Sequence, residues 1–154
     1  MKWWQLGGVV LLGVIVAAAM FTLQPQESCR DFNEATITVD GATWSVAVAD
    51  NATEQIRGLM ECRNLPNRSG MYFVYARPTA VSFWMKSMLI SLDIIWIRDV
   101  EVIGVTEDVP PAEPEDANPP TYQPPGRVTA VLEIAAGQAA AHNIAIGSVV
   151  DFAP

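Results

Sequence analysis

Apolar and polar residues alternate with a period of two along much of the chain from residue 36 onward. Ile37 and Val39 alternate with polar residues, and the same period returns from Trp44 to Val48. Such alternation is typical of strands with one buried face. Between these two segments, Asp40-Gly41 supplies residues that tolerate positive φ. The pattern therefore predicts a β-hairpin.

Further segments with strand character follow along the chain: residues 71–75, 81–85, 93–97, 100–105, 128–134 and 149–152. We expect a turn at Pro78 between the first two and a hairpin around Arg98-Asp99 between the next two. In residues 128–134 (VTAVLEI), Glu133 alternates to the outer side, and we expect it to be solvated.

Two short helices interrupt the strands in this interpretation. Asn51 is expected to cap the first helix, because its side chain can accept from the free backbone N–H groups. Ile56, Leu59 and Met60 follow at helical spacing and predict one apolar stripe. Residues 136–141 predict a second short helix, with His142 near its C-terminal end.

A long loop between Asp108 and Gly126 holds seven of the 11 prolines: Pro110, Pro111, Pro114, Pro119, Pro120, Pro124 and Pro125. Proline has no backbone N–H to donate to a ladder, so no central strand is expected here. A loop of this length in a small domain is usually functional or mobile.

The chain begins with an apolar run. Residues 6–23 are 18 residues without a charge. As a helix they would span about 27 Å, close to the hydrocarbon core of a bilayer at about 30 Å. Trp3 and Trp4 stand where interfacial aromatics belong, and Lys2 favours a cytoplasmic N-terminus with the rest of the chain outside.

A cleaved signal peptide is the alternative, because Ala17, Ala18 and Ala19 are small enough for a cleavage site. The apolar run is longer than a usual signal core, which favours a retained single-pass anchor. In the alternative the domain is secreted. The predicted organisation is an anchor at residues 1–23, a linker at 24–35 and a domain at 36–154.

Several short strands separated by turn residues predict a mainly β fold. The expected architecture is a small antiparallel sandwich or partly open barrel with one or two short helices, behind one N-terminal transmembrane helix.

The charge of the domain excludes some partners. Lys2 is the only charged residue before Glu27, so the chain from Glu27 onward holds 8 of the 9 basic residues and all 17 acidic ones, a net charge of −9. Nucleic acid needs a basic surface, so we expect no nucleic-acid partner.

The two cysteines, Cys29 and Cys62, are not in a CxxC spacing, and His142 is the only histidine. A structural zinc site needs four such ligands, so no metal or cofactor is predicted. A thiol nucleophile would need a histidine base, and His142 lies in an alanine-rich helical turn. In an exported domain Cys29 and Cys62 could form a disulfide, and two unpaired cysteines are the alternative.

Several motifs together resemble one family. They are RGLM at 57–60, Arg63, LP at 65–66, GM at 70–71, FWMK at 83–86, LD at 92–93, EDVPP at 107–111, VLE at 131–133, Gly137 and Gly147. In this combination the chain resembles the bacterial and archaeal domain of unknown function 192 family from about residue 37 to 152. The resemblance implies a compact β-rich domain, often exported or anchored, and implies no reaction.

One stretch departs from the family pattern. The family usually has Asn-Thr after FWMK and a proline before LD, whereas this chain has Ser87, Met88 and Ser91. A contact that the Asn-Thr pair makes in relatives would be altered here.

The densest group of candidate binding residues lies around FWMK. Alternation places Trp84 and Lys86 on one face of their strand, where a tryptophan beside a lysine suits a sugar or an anionic group. Carboxylates could complete such a site, as could an arginine. The candidate ligand-binding residues are Trp84, Lys86, Asp93, Glu107, Asp108 and Arg57; no catalytic residue is predicted.

Structural roles compete with these functional ones. Trp84 could cap the core, with Lys86 and Asp93 as a local ion pair. Arg57 and Arg63 could tie helix and loop carboxylates together. Asn51 and Asn67 fit the N-glycosylation pattern, which would require an exported domain.

Three hypotheses for function follow. The favoured one is a membrane-anchored extracytoplasmic domain that acts as a non-enzymatic binding or interaction module of the cell envelope, with a glycan or protein partner. The second is a carboxylate-dependent hydrolase acting on envelope glycans. The third is a structural envelope component without a small ligand.

Overall fold

The computed structural model describes residues 31–113 and 115–154. The predicted anchor at residues 1–23 and most of the predicted linker lie outside the described residues. Within the described ranges, none of the helices is long and apolar enough to cross a membrane.

Nine strands and two short helices make up this part of the chain. In chain order they are β1 (Ala35–Val39), β2 (Ala42–Ala49), α1 (Ala52–Arg57), β3 (Ser69–Thr79), β4 (Phe83–Trp84), β5 (Leu92–Arg98), β6 (Glu101–Val109), β7 (Thr121–Tyr122), β8 (Val128–Ala135), α2 (Gln138–Ala141) and β9 (Val150–Ala153).

Seven strands form one sheet in the order β6-β5-β8-β3-β2-β1-β9, and β4 pairs with β7 in a separate two-stranded sheet. The large sheet curls until its two edges meet at one end. There, Glu101 bridges to Val149, and the Val102 N–H donates to the Ser148 carbonyl at 2.9 Å. The mainly β fold and the partly open barrel are thus confirmed.

The expectation of a wholly antiparallel sheet is wrong at one place. β2 and β3 run parallel, with Ser45 opposite Ser69 and Ala49 opposite Phe73. Parallel neighbours need a crossover connection rather than a tight turn. The segment that contains α1 supplies that crossover.

Both faces of the curled sheet are buried. The inner face includes residues from all seven strands, among them Ile37, Trp44, Tyr72, Ile95, Val102, Leu132 and Val150. The outer face is covered by α1, β4 and the loops around them, and it buries Phe32, Leu59, Met71, Phe73, Met85, Ile94, Trp96 and Val131. Because both faces of the sheet are buried, its central strands have no side that faces solvent.

The hairpin at Asp40-Gly41 is confirmed. Asp40 and Gly41 have φ of 46° and 85°, and Val39 pairs with Ala42 across the turn. Two adjacent positive φ values are the signature of a type I′ turn, whose twist matches the flanking strands.

The predicted Asn51 cap of α1 is also confirmed. The predicted apolar stripe on this helix is wrong. The Asn51 side chain accepts from the Glu54 N–H at 3.1 Å. Gly58, at φ 48°, ends the helix. Leu59 therefore lies beyond the helix, where it is buried, and Ile56 is 67% exposed.

Pro78 does not form the predicted turn. It lies inside β3, which continues to Thr79 with a register irregularity after Val74. Proline is tolerated there because an irregular ladder does not use its missing N–H. His142 is the C-terminal cap of α2, as expected.

Candidate functional site

A pocket of about 360 Å³ opens on the outer face of the sheet. Its walls come from α1 and the turn after it, from β3, and from the segment around β4. The lining residues are Ala52, Gln55, Ile56, Arg57, Gly58, Leu59, Met60, Phe73, Tyr75, Val81, Ser82, Phe83, Trp84, Met88 and Glu133. We call it the Glu133 pocket.

Glu133 reaches this pocket because of its place in the sheet. It stands on β8, with Met71 of β3 on one side and Ile94 of β5 on the other. Both neighbours belong to the outer-face core. Directly opposed residues in a sheet point to the same side, so Glu133 also points outward, toward the pocket.

The Glu133 side chain is buried, with 5% of its surface exposed. The expectation that Glu133 is solvated is therefore wrong, because the outer face of β8 is covered. Burial raises the pKa of Glu133 to about 8, and no hydrogen bond or charge from the described residues offsets that rise. Near pH 7 the carboxyl is mostly protonated.

Tyr75 lies close to this carboxyl. Burial and the charge of Glu133 together raise the pKa of the Tyr75 phenol to about 12. The phenol is therefore neutral at physiological pH, and Tyr75 lines the pocket.

Aromatic rings form much of the wall. Phe83 packs edge-on against Phe73, with 4.9 Å between ring centroids, and against Trp96 at 5.4 Å. Trp84 is 44% exposed. The Lys86 ammonium lies 5.3 Å from the centroid of the Trp84 ring, a cation–π distance.

The proline-rich loop pairs with the segment of this wall that contains Phe83 and Trp84. Trp84 pairs with Thr121 and Phe83 pairs with Tyr122, so the loop contributes the partner strand β7. The Ala112 N–H also donates to the Met85 carbonyl at 3.3 Å. The loop therefore holds the strand that carries Phe83 and Trp84.

The structure brings together only some of the predicted ligand-binding residues. Arg57 and Trp84 line the Glu133 pocket. Lys86 stacks on Trp84 and borders a second, smaller cavity beside the proline-rich loop. Glu107 and Asp108 are exposed on β6 and do not line the Glu133 pocket.

Asp93 has a structural position. It is fully buried and accepts from the Asp108 N–H at 2.9 Å and from the Ala139 N–H at 2.8 Å. The proposed ion pair between Lys86 and Asp93 is therefore wrong, since Lys86 is exposed on Trp84 and Asp93 is enclosed by backbone donors.

Arg57 and Arg63 are exposed and pair with no carboxylate among the described residues. The expected ion pairs of these arginines with helix and loop carboxylates are not found in this part of the chain. Arg57 is thus a cationic side chain beside a pocket that contains a buried acid.

Cys62 is fully buried and is not a free thiol. Cys29 lies outside the described residues, so its pairing with Cys62 stays a prediction. Asn51 and Asn67 are both exposed, and the Asn51 side chain is engaged as the helix cap. Their glycosylation stays a prediction.

The candidate functional residue that the sequence did not predict is Glu133. The signal was present in the run Val131-Leu132-Glu133-Ile134, where apolar residues stand on both sides of the alternation. A strand apolar on both faces is typical of a strand buried on both faces. A glutamate inside such a run is therefore buried.

Comparison with known proteins identifies the family. The family described as "Uncharacterized ACR", domain of unknown function 192, matches residues 35–152. The chain belongs to this family. The resemblance seen in its motifs is thereby confirmed, and the match covers every strand except part of β9.

Two crystal structures share the fold. One is a protein of unknown function from Novosphingobium aromaticivorans DSM 12444, 30% identical over 75% of this chain and 83% of that chain, with a TM-score of 0.69. The other is a proposed transcription regulator from Sinorhizobium meliloti 1021, 22% identical over 77% of this chain and 92% of that chain, also with a TM-score of 0.69. Among the curated proteins, none matches this chain.

Proposed function

We propose that this domain is a non-enzymatic binding module and that the Glu133 pocket is its binding site. The observation that supports the proposal is a buried carboxyl that faces a pocket and has no hydrogen-bond or ionic partner among the described residues. An acid whose pKa is strongly shifted by burial and that lines a cleft is typical of a functional site.

The buried Glu133 carboxyl also costs the fold stability. A carboxyl whose folded pKa exceeds its unfolded value lowers the stability of the fold at neutral pH. A glutamine or a leucine at position 133 would avoid that cost. Residues that break a local rule without structural compensation are expected at functional sites.

The pocket has the size and composition of a small-molecule site. Its volume of about 360 Å³ lies within the range of about 300–1,000 Å³ that is usual for such sites. Its walls are mainly aromatic and aliphatic, and Gln55, Arg57, Ser82 and Glu133 are polar side chains among them. In such sites apolar walls give affinity and polar groups fix orientation.

A glycan hydrolase receives less support. The raised pKa of Glu133 would suit a general acid. Glycoside hydrolysis of the common kind also needs a second carboxylate across the cleft. Among the described residues that line the pocket, Glu133 is the only carboxylate.

For the location, the proposal is delivery across a membrane by residues 6–23, with the domain outside. The support is the uncharged length of that run together with Lys2 before it. Alkaline phosphatase fused after Pro154 reports the side of the membrane, since it is active only outside the cytoplasm. An active fusion in the membrane fraction supports an anchor, and an active soluble fusion supports signal cleavage.

The binding proposal is tested by a fragment screen on the full-length chain, read by NMR chemical-shift changes. Hits should shift the resonances of Tyr75 and Trp84, and their affinity should fall in Glu133→Gln. The matched control is Glu101→Gln, an exposed glutamate on β6. Hits that bind both variants equally, or a screen without hits, would favour a structural envelope component.

A further inference from the structure

The Glu133 carboxyl lines the pocket and has no ionic partner among the described residues. Glu133 is flanked across the sheet by Met71 and Ile94, which are both fully buried apolar residues. The ionisable side chains that line the pocket, among those described, are Arg57, Tyr75 and Glu133. Arg57 does not form an ion pair with Glu133, and the Tyr75 phenol is neutral. Within the described part of the chain, the Glu133 carboxyl is therefore available to an incoming positive charge.

Aromatic rings and thioethers share the pocket with this acid. Phe73, Tyr75, Phe83 and Trp84 line the pocket, with Met60 and Met88 beside them. Aromatic rings attract organic cations through their negative faces. The Lys86 ammonium lies over one face of Trp84, 5.3 Å from the ring centroid, so a ligand cation would use the other face of Trp84 or the other rings.

On this geometry we infer that the Glu133 pocket binds an organic ammonium compound, with the Glu133 carboxylate as the counter-ion and the surrounding rings as the cage. The inference rests on the proposed binding function and names the chemical class of the ligand. The net charge of −9 from Glu27 onward adds long-range attraction for cations.

Two cationic side chains oppose this ligand: Arg57 in the lining and Lys86 beside Trp84. Both are exposed, so water and salt screen their charges. Glu133 is buried, so its attraction is screened much less. The balance at Glu133 therefore favours the ligand cation.

Binding is coupled to a proton. Burial raises the pKa of Glu133 to about 8, so the carboxyl is mostly protonated near pH 7. An opposite charge within hydrogen-bond distance favours the ionised form. The ligand enters as R–NH₃⁺, the carboxyl releases its proton to solvent, and an ammonium–carboxylate pair is left in the pocket.

The test uses three probes that share one ring and differ in charge: benzylammonium, benzyl alcohol and benzoate. Each is titrated into the full-length chain at pH 6.5 by calorimetry, and proton release is followed with a pH electrode in weakly buffered solution. Benzylammonium should bind tightest and release about one proton per molecule bound, because it ionises Glu133.

Variants locate the interaction. Glu133→Gln should weaken benzylammonium binding about 30-fold or more, the usual effect of removing one partner of a buried charge pair, and should abolish proton release. Trp84→Ala should weaken binding about 3- to 10-fold through the lost cation–π contact. Glu101→Gln should change neither quantity.

Three results overturn the inference: benzyl alcohol or benzoate binds as well as benzylammonium, Glu133→Gln leaves benzylammonium binding unchanged, or none of the probes binds. The proposed function is judged separately by the fragment screen. Neutral or anionic hits that still depend on Glu133 would preserve the binding module and reject the ammonium class.

Discussion

The Asp93 carboxylate on β5 accepts a hydrogen bond of 2.8 Å from the backbone N–H of Ala139 in α2. The two residues are 46 positions apart in the chain. Gly137, the N-cap of α2, has no side chain to accept from the helix, so Asp93 serves that role from a neighbouring strand. Its other oxygen accepts from the Asp108 N–H.

Replacing Asp93 tests this role. Asp93→Asn keeps the size and substitutes an amide NH₂ for one acceptor oxygen, which leaves a buried backbone N–H without a partner. We expect the free energy of unfolding to fall by about 1–3 kcal/mol. Urea denaturation measures the change, with Asp151→Asn, an exposed aspartate on β9, as control. Equal midpoints for both variants would contradict the capping role.

Glu133 makes stability depend on pH in an unusual direction. Its folded pKa, about 8, is higher than its model value of 4.5 in the unfolded chain. Between these values the native state holds a proton that the unfolded state has released, so stability falls as pH rises. The stabilisation that the retained proton gives the native state is fully present below pH 4.5. Between pH 4.5 and 8 it decreases by about 1.4 kcal/mol for each pH unit.

Glu133→Gln removes this proton linkage. The variant should be more stable than the parent at pH 8, and the difference between them should shrink toward pH 4.5. Guanidinium denaturation at a series of pH values measures both effects. Glu101→Gln should follow the parent chain, and parallel stability curves for parent and Glu133→Gln would contradict the buried, uncompensated carboxyl.

Gly70 is expected to be indispensable for the contact between β3 and β8. A Cβ at this position would collide with the backbone carbonyl of Glu133 and stand 3.0 Å from the Cγ2 atom of Ile134. Because the backbone can relieve this collision only by moving, Gly70→Ala should destabilise the fold by about 1–3 kcal/mol. Gly126→Ala is the control, because its Cβ would meet only the end of the flexible Arg98 side chain. A loss of stability of similar size in both variants would argue against the close approach.

The cysteine pairing gives a further prediction. A disulfide between Cys29 and Cys62 would close a loop of about 33 residues and stabilise the fold by roughly 4 kcal/mol in the chain-entropy treatment. The full-length chain should show no thiol reactive with iodoacetamide when denatured without reductant. Alkylation of two cysteines under those conditions would reject the pairing.

The local elements could be predicted from the sequence because their causes are local. The Asp40-Gly41 turn, the Asn51 cap and the alternating strands each follow from a few adjacent residues. Pro78 was misplaced because the sequence does not show where a strand becomes irregular. The parallel pairing of β2 with β3 depends on which distant segment lies alongside, and alternation does not encode that choice.

The candidate site was harder to predict for the same reason. Trp84 and Arg57 were both candidate ligand-binding residues and both line the Glu133 pocket, whereas Asp93 accepts hydrogen bonds from backbone groups of distant segments. Glu133 appeared solvated because alternation assumes one wet face. Both faces of β8 are shielded from solvent only because α1, β4 and the loops around them cover the outer face of the sheet.

Glu133 is a buried carboxyl with no hydrogen-bond or ionic partner among the described residues, and it lines the pocket that we propose as the binding site. The most direct measurement is an NMR titration of the Glu133 side-chain carboxyl carbon in the full-length chain. We predict a midpoint of about 8, the value that burial gives this group. A midpoint near 4.5, the ordinary value for glutamate, would contradict the account.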